Sequence, residues 1–222
     1  MARPRSPAGR ARVALARLGA EYPGDAASLC TLDHEGPFQL VVATVLSAQT
    51  TDEGVNRVTP SLFARWPTAH ALAVAPPSEL EEVIHATGFY RQKARSLLGL
   101  AAALVERFDG EVPRSMAALS SLPGVGRKTA NVVRSVGLSL PGLPVDTHVG
   151  RLSVRLGLTV HTDPAKVEAD LDPMVPASER GRFSLLLILH GRRVCVARRP
   201  RCEECVLNDF CPSAATFLPA GA

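Results

Sequence analysis

Four cysteines near the C-terminal end, Cys195, Cys202, Cys205 and Cys211, follow the spacing C-x6-C-x2-C-x5-C. Whatever they bind, they close a short stretch of chain on itself. Disulfides need an oxidising compartment. The first residues are polar and arginine-rich, with no apolar core of a secretory signal. A reducing compartment is therefore expected, cytoplasmic or, in a bacterium, nucleoid-associated, and there clustered cysteines bind metal. Structural zinc sites usually bring two close pairs, whereas only Cys202 and Cys205 are close here. An iron–sulfur cluster takes four thiolates at more varied spacing. Spacing favours the cluster and leaves zinc and disulfides open. The fifth cysteine, Cys30, reads as a small buried apolar residue.

The chain has 222 residues, 46% hydrophobic and 21% charged. That suits a globular protein of one large or two small domains. No apolar run reaches the roughly 20 residues that span a bilayer, so no membrane partner is expected. The net charge is +4 and the pI about 9.0. Arg3, Arg5, Arg10, Arg12 and Arg17 crowd one end, and Arg192, Arg193, Arg198, Arg199 and Arg201 surround the first three cluster cysteines. Such surface suits a phosphate backbone; a solvated basic face has the same composition.

Almost every segment reads as a short helix. Ser78 to Glu81 forms a capping box opening a helix with Leu80, Val83 and Ile84. Asp163-Pro164 sets a cap before a first-turn proline. The pattern predicts a helix from about Arg95 to Phe108, burying Leu97, Leu98, Ala101 and Leu104 or Val105. Phe38 to Val45 is valine-rich but runs on into Leu46 without a hairpin partner, so a buried helix is expected. Residues 1 to about 10, and those after Ser213, read as mobile. Many short helices broken at Pro and Gly predict an all-α fold.

Leu122 to Ala130 reads Leu-Pro-Gly-Val-Gly-Arg-Lys-Thr-Ala. It is not a Walker A loop, because Arg127 separates Gly126 from Lys128. Two glycines two residues apart allow a tight turn, and Arg127 to Val136 has helical composition. The turn therefore presents backbone N–H groups at a helix start, which suits phosphate. A plain helix corner would also use glycine. Lys128 lies just inside that helix, and Asp146 lies in Val145-Asp146-Thr147-His148. Separately, they read as a phosphate contact and a helix cap. Together they also suit an amine nucleophile and a carboxylate that stabilises positive charge.

These segments, the cysteine quartet, Leu46 to Asp52 (Leu-Ser-Ala-Gln-Thr-Thr-Asp) and Gly88-Phe89-Tyr90 occur together in one order. From about Ala11 to Pro212 the chain resembles the endonuclease III family, bifunctional DNA glycosylases and abasic-site lyases of the helix–hairpin–helix superfamily. The resemblance implies two all-α domains with a cleft between them. One spans 31–140 and carries the hairpin. The other combines 1–30 with 141–222 and holds a [4Fe–4S] cluster on Cys195, Cys202, Cys205 and Cys211. It implies Lys128 as the nucleophile at the sugar C1′, facing Asp146 across the cleft, with Asp146 activating it or stabilising the transition state. Gly124, Val125, Gly126 and Arg127 would hold the DNA backbone. Gln49 would fill the hole left by the flipped nucleotide, and Phe89 would be the wedge, where the family commonly has leucine. Asp52 and His148 would line or support the pocket, and Arg198 and Arg199 would meet phosphates from the cluster loop. Gly150 stands where the family often has a bulkier residue.

The partner so implied is duplex DNA with oxidised pyrimidines, such as thymine glycol, or abasic sites, bound by a monomer. Adenine-specific mismatch glycosylases lack the lysine and usually carry a further C-terminal domain, so Lys128 and the end at Ala222 argue against them. A uracil or thymine mismatch glycosylase keeps the same fold. A non-catalytic DNA-binding module would need the glycines and arginines but not Lys128 with Asp146.

Overall fold

The computed structural model describes residues 4–218, which are helical with no strand among them. In chain order the helices are α1 (Pro7–Glu21), α2 (Gly36–Leu46), α3 (Asp52–Arg65), α4 (Ala69–Ala73), α5 (Pro77–Ile84) and α6 (Tyr90–Phe108). There follow α7 (Met116–Ser120), α8 (Arg127–Val132), α9 (Thr147–Arg155), α10 (Pro164–Leu171), α11 (Arg180–Arg193) and α12 (Ala214–Phe217). The all-α expectation holds. None of these helices is long and apolar enough to cross a membrane. The chain forms two compact units, one of Cys30–Leu140 and one of the residues up to Leu29 with those from Pro141 onward.

The Cys30–Leu140 unit is built around α2, whose residues from Leu40 to Leu46 are all buried. A helix apolar all round must be enclosed, and α2 packs against α3, α6 and α8. Its valines therefore contribute packing rather than strand pairing. Burying each such leucine or valine stabilises by roughly 1.5–3 kcal/mol. Helix α6 is longer than the pattern predicts, because it begins at Tyr90 rather than Arg95. Its buried stripe is Lys93, Ala94, Leu97, Leu100, Ala101 and Leu104, with Leu98 and Val105 half-buried beside it. The capping box at Ser78 does not form. Helix α5 starts two residues earlier, on Pro77 after an extended Pro76, because proline already has the φ of a first helical residue and needs no N–H there.

In the second unit, Ala11, Ala14 and Leu18 of α1 are buried, and α1 packs on α11, which packs on α9. Asp163 caps α10, accepting from the Lys166 amide at 3.0 Å. The expected mobility of residues 1 to about 10 is overturned from Pro7 onward. Ser6 caps α1, accepting from Gly9 at 3.1 Å. Arg10 donates to the carbonyls of Leu156 and Gly157 at 2.7 and 2.5 Å. After Ser213 the chain forms α12. The same expectation for residues 1–3 and 219–222 lies outside the described residues. Arg17 is also engaged, in a 2.5 Å ion pair with Asp209. Arg10 and Arg17 thus bond within the fold.

Candidate active site and cluster loop

In the Cys30–Leu140 unit the hairpin joins α7 to α8 through Ser121–Gly126. Gly124 has φ +76, and a Cβ there would stand 3.1 Å from the Ser96 Cβ and 3.4 Å from Val45. Only glycine meets both demands. Gly126 has an ordinary φ of −86, and a Cβ there would meet nothing within 4 Å. Packing does not require that glycine, but close approach of a ligand to its backbone would. The Val125 side chain is buried and its amide donates to Leu122 O at 3.1 Å, so that amide serves the turn. Arg127 and Lys128 are exposed on the first turn of α8. The helix continues through a π-helical turn, Val133–Gly137. Lys128 and Asp52 lie near enough to Cys30 for their charges to act on its thiol, which burial pushes up.

Gln49 and Phe89 lie on two loops of this unit, both exposed and both left-handed, with φ +54 and +47. Non-glycine residues in that region are strained, and such strain clusters at functional positions. Phe89 is 69% exposed, which excludes its being a core residue. Behind the loops lies a residue the sequence reading passed over. Lys93 donates to Thr50 Oγ1 at 2.7 Å and to Thr87 O at 2.8 Å.

In the other unit Asp146 is the N-cap of α9. One carboxylate oxygen accepts from the amides of His148 and Val149 at 2.8 and 2.9 Å. His148 is half-buried, and its pKa is lowered by burial first and then by Arg151 and Arg192, against the opposing charge of Asp146. A Cβ on Gly150 would meet nothing within 4 Å, so the bulk missing there leaves open space. Two arginines four residues apart on α9 hold the cluster loop. Arg151 donates to Cys195 O at 2.9 Å and Gly191 O at 3.0 Å, and lies 3.2 Å from His148 Nδ1. Arg155 donates to Val196 O at 2.8 Å and Ala197 O at 2.7 Å. Arg198 and Arg199 are exposed.

All four cysteines line one pocket, walled by Leu152, Leu156, Leu207 and Phe217. Among the described residues no three cysteine, histidine or acidic side chains are grouped to hold a single metal ion. Burial pushes the thiols of Cys202 and Cys211 up, and that of Cys205 up to about 11, with neighbouring cysteines adding to each. Sulfurs in an apolar pocket that repel one another as thiolates fit a cationic iron core, which would keep them ionised. Arg155 Nη1 and the Leu207 amide donate to Cys195 Sγ and Cys205 Sγ at 3.3 and 3.4 Å. Such donors stabilise sulfur ligands of iron.

Residues 42–177 match the family model of the HhH-GPD superfamily of base excision DNA repair proteins, and 195–211 match that of the iron–sulfur binding domain of endonuclease III. An endonuclease III of Synechocystis sp. is 55% identical over 194 residues, 87% of each chain. The chain belongs to the endonuclease III family. A solved structure of a trapped endonuclease III–DNA covalent intermediate, an estranged-adenine complex, aligns with a TM-score of 0.84 at 42% identity, covering 92% of this chain and 95% of that one. A thermostable thymine-DNA glycosylase aligns at 0.80 but with 22% identity, over 93% and 95% of the chains, which is a likeness of fold. Family membership accounts for the iron–sulfur loop.

Of the residues singled out in the sequence, one unit carries Gln49, Phe89, the hairpin and Lys128, and the other carries Asp146, His148, Arg198, Arg199 and the cysteines. Sequence reasoning missed Lys93, Arg151 and Arg155. The i, i+4 arginine pair behind Asp146 was the available signal for the last two.

Proposed function

We propose that the chain is a base-excision-repair enzyme that removes oxidised pyrimidines, such as thymine glycol, from duplex DNA and cuts the abasic site through a Schiff base on Lys128. The observation that carries this reading is Lys128 itself, exposed one residue inside the helix that follows the Gly124–Gly126 turn. The unprotonated amine attacks C1′ and the base departs with the glycosidic electron pair, taking up a proton. Ring opening leaves an iminium between Nζ and C1′. Loss of a C2′ proton then expels the 3′ phosphate, and water releases the lysine. The Asp146 carboxylate activates the amine or stabilises the cationic sugar.

Flipping the nucleotide costs a few kcal/mol. Gln49 offsets this by hydrogen-bonding the orphaned base, and Phe89 by wedging or stacking in the gap. The amides of Gly124 and Gly126, with Arg127, hold the backbone, while Arg198 and Arg199 reach phosphates. Cys195, Cys202, Cys205 and Cys211 would hold a [4Fe–4S] cluster that cross-links the loop carrying those arginines. The enzyme acts as a monomer, in the cytoplasm or on the nucleoid.

Borohydride trapping tests the reading, on duplexes carrying thymine glycol opposite adenine or a preformed abasic site. A covalent adduct with both, absent from Lys128→Ala, is expected. An adduct with the abasic site alone would move the base specificity to a mismatch. No adduct with either, from protein with its cluster intact, would leave a monofunctional enzyme or a binding module.

A further inference from the structure

Lys93 is 5% exposed, yet neither acceptor of its ammonium is a carboxylate. It lies in the first turn of α6, where the helix dipole disfavours a cation. It also begins the apolar stripe continued by Leu97, Leu100 and Leu104, a position where Leu or Met would pack without charge. Burial alone lowers its pKa, so the fold bears a cost in holding it protonated. Stability therefore does not explain a lysine here.

Its contacts do. Thr50 follows Gln49, and Thr87 stands two residues before Phe89. The Thr50 hydroxyl also donates to Thr87 O at 2.5 Å, so the ammonium, the hydroxyl and the carbonyl close a triangle. Thr87 O ends the helical run from Pro77, a negative pole that attracts a cation. The two strained residues thus sit on loops tied at one buried point. We infer that Lys93 is a positioning residue that locks the Gln49 loop to the Phe89 loop, so that the two side chains enter the helix as one preset unit. This rests on the proposed roles of Gln49 and Phe89. Fixing both loops before DNA arrives spares ordering them during flipping.

The test uses full-length protein with its cluster, as Lys93→Met, Thr50→Val and the double variant. Lys93→Met keeps the stem and leaves Thr87 O its bond from Thr50. Its melting temperature is expected within about 4 °C of wild type, or above it. Amide hydrogen exchange in the free protein is expected to quicken about fivefold or more at 48–51 and 87–90 while α2 and α6 keep their protection. Single-turnover excision of thymine glycol opposite adenine is expected to fall about tenfold or more in each single variant, since small misplacements cost that much. The double variant is expected to lose less than the product of the two, because they share one network. A bulged lesion with no opposing base, which needs no hole filled, is expected to show the smaller loss.

Unchanged exchange in both loops would overturn the inference. So would exchange that quickens throughout the unit with a lowered melting temperature, or loosened loops with undiminished excision. If wild-type protein traps the abasic duplex but neither excises nor traps thymine glycol, the proposed base specificity fails, and exchange still decides whether the loops are locked.

Discussion

Asp146 caps α9 and, in the proposed mechanism, supplies a negative charge, and two substitutions separate the two roles. Asn retains a side-chain oxygen for the His148 and Val149 amides, so Asp146→Asn is expected to keep its stability within about 0.5 kcal/mol of wild type, whereas Asp146→Ala loses about 1 kcal/mol. Both are expected to slow single-turnover excision by roughly 100-fold or more, because both remove the carboxylate. Urea titration beside excision kinetics checks this. His148 gives a pH signature. Its pKa in the fold lies below the ordinary value of 6.5, with burial as the main cause. Above pH 6.5 it is neutral folded and unfolded; below, the unfolded chain takes the proton first. Its contribution is therefore present above 6.5 and lost as pH falls toward the folded value. His148→Gln is expected to flatten that part of a stability–pH curve measured by denaturation. Cys30, half-buried, fits the reading of it as a small apolar residue. Lys93 escaped notice because the polar run Tyr90 to Lys93 concealed a helix start. Stepping back four residues from Leu97 would have put a lysine on the apolar face.

At the scale of elements, the hairpin glycines make opposite predictions. Gly124→Ala forces a side chain into φ +76 against Ser96 and is expected to destabilise by about 1–3 kcal/mol. Gly126→Ala meets no neighbour and is expected to melt like wild type. Its methyl would stand between the backbone and a phosphate, weakening duplex binding in a fluorescence anisotropy titration. Local chemistry made elements legible where it decided them. Asp163-Pro164 marks the start of α10 to the residue, and the apolar run at 38–46 identifies a helix enclosed on all sides. It failed at Ser78, where two prolines set the start first, and at α1, whose order comes from pairing with residues more than 140 positions away. No local signal carries that pairing. The left-handed Gln49 and Phe89 were equally invisible, since neither is a residue type that favours a positive φ.

At the scale of the molecule, the cluster loop depends on two kinds of tie. Cys195 to Ala197 are held by Arg151 and Arg155, and 206–210 by Arg17, which donates to Val206 O and pairs with Asp209, and by the buried Leu207 and Phe210; the metal would add the second tie, through the four thiolates. Stripping the iron is expected to open a protease-sensitive stretch within 198–211 while fragments spanning Cys30–Leu140 survive, as limited proteolysis with mass spectrometry would show. The order of the chain bears on its synthesis. Helix α1 is translated before the Cys30–Leu140 unit, but its partner α11 begins some 160 residues after α1 ends. At about 5–20 residues per second the ribosome delivers that partner roughly 8–30 seconds later. Meanwhile the Cys30–Leu140 unit emerges whole and can fold. For that interval every nascent copy displays the Ala11, Ala14 and Leu18 face uncovered, which makes α1 the natural foothold for chaperones and the segment by which interrupted translation products would be recognised for degradation.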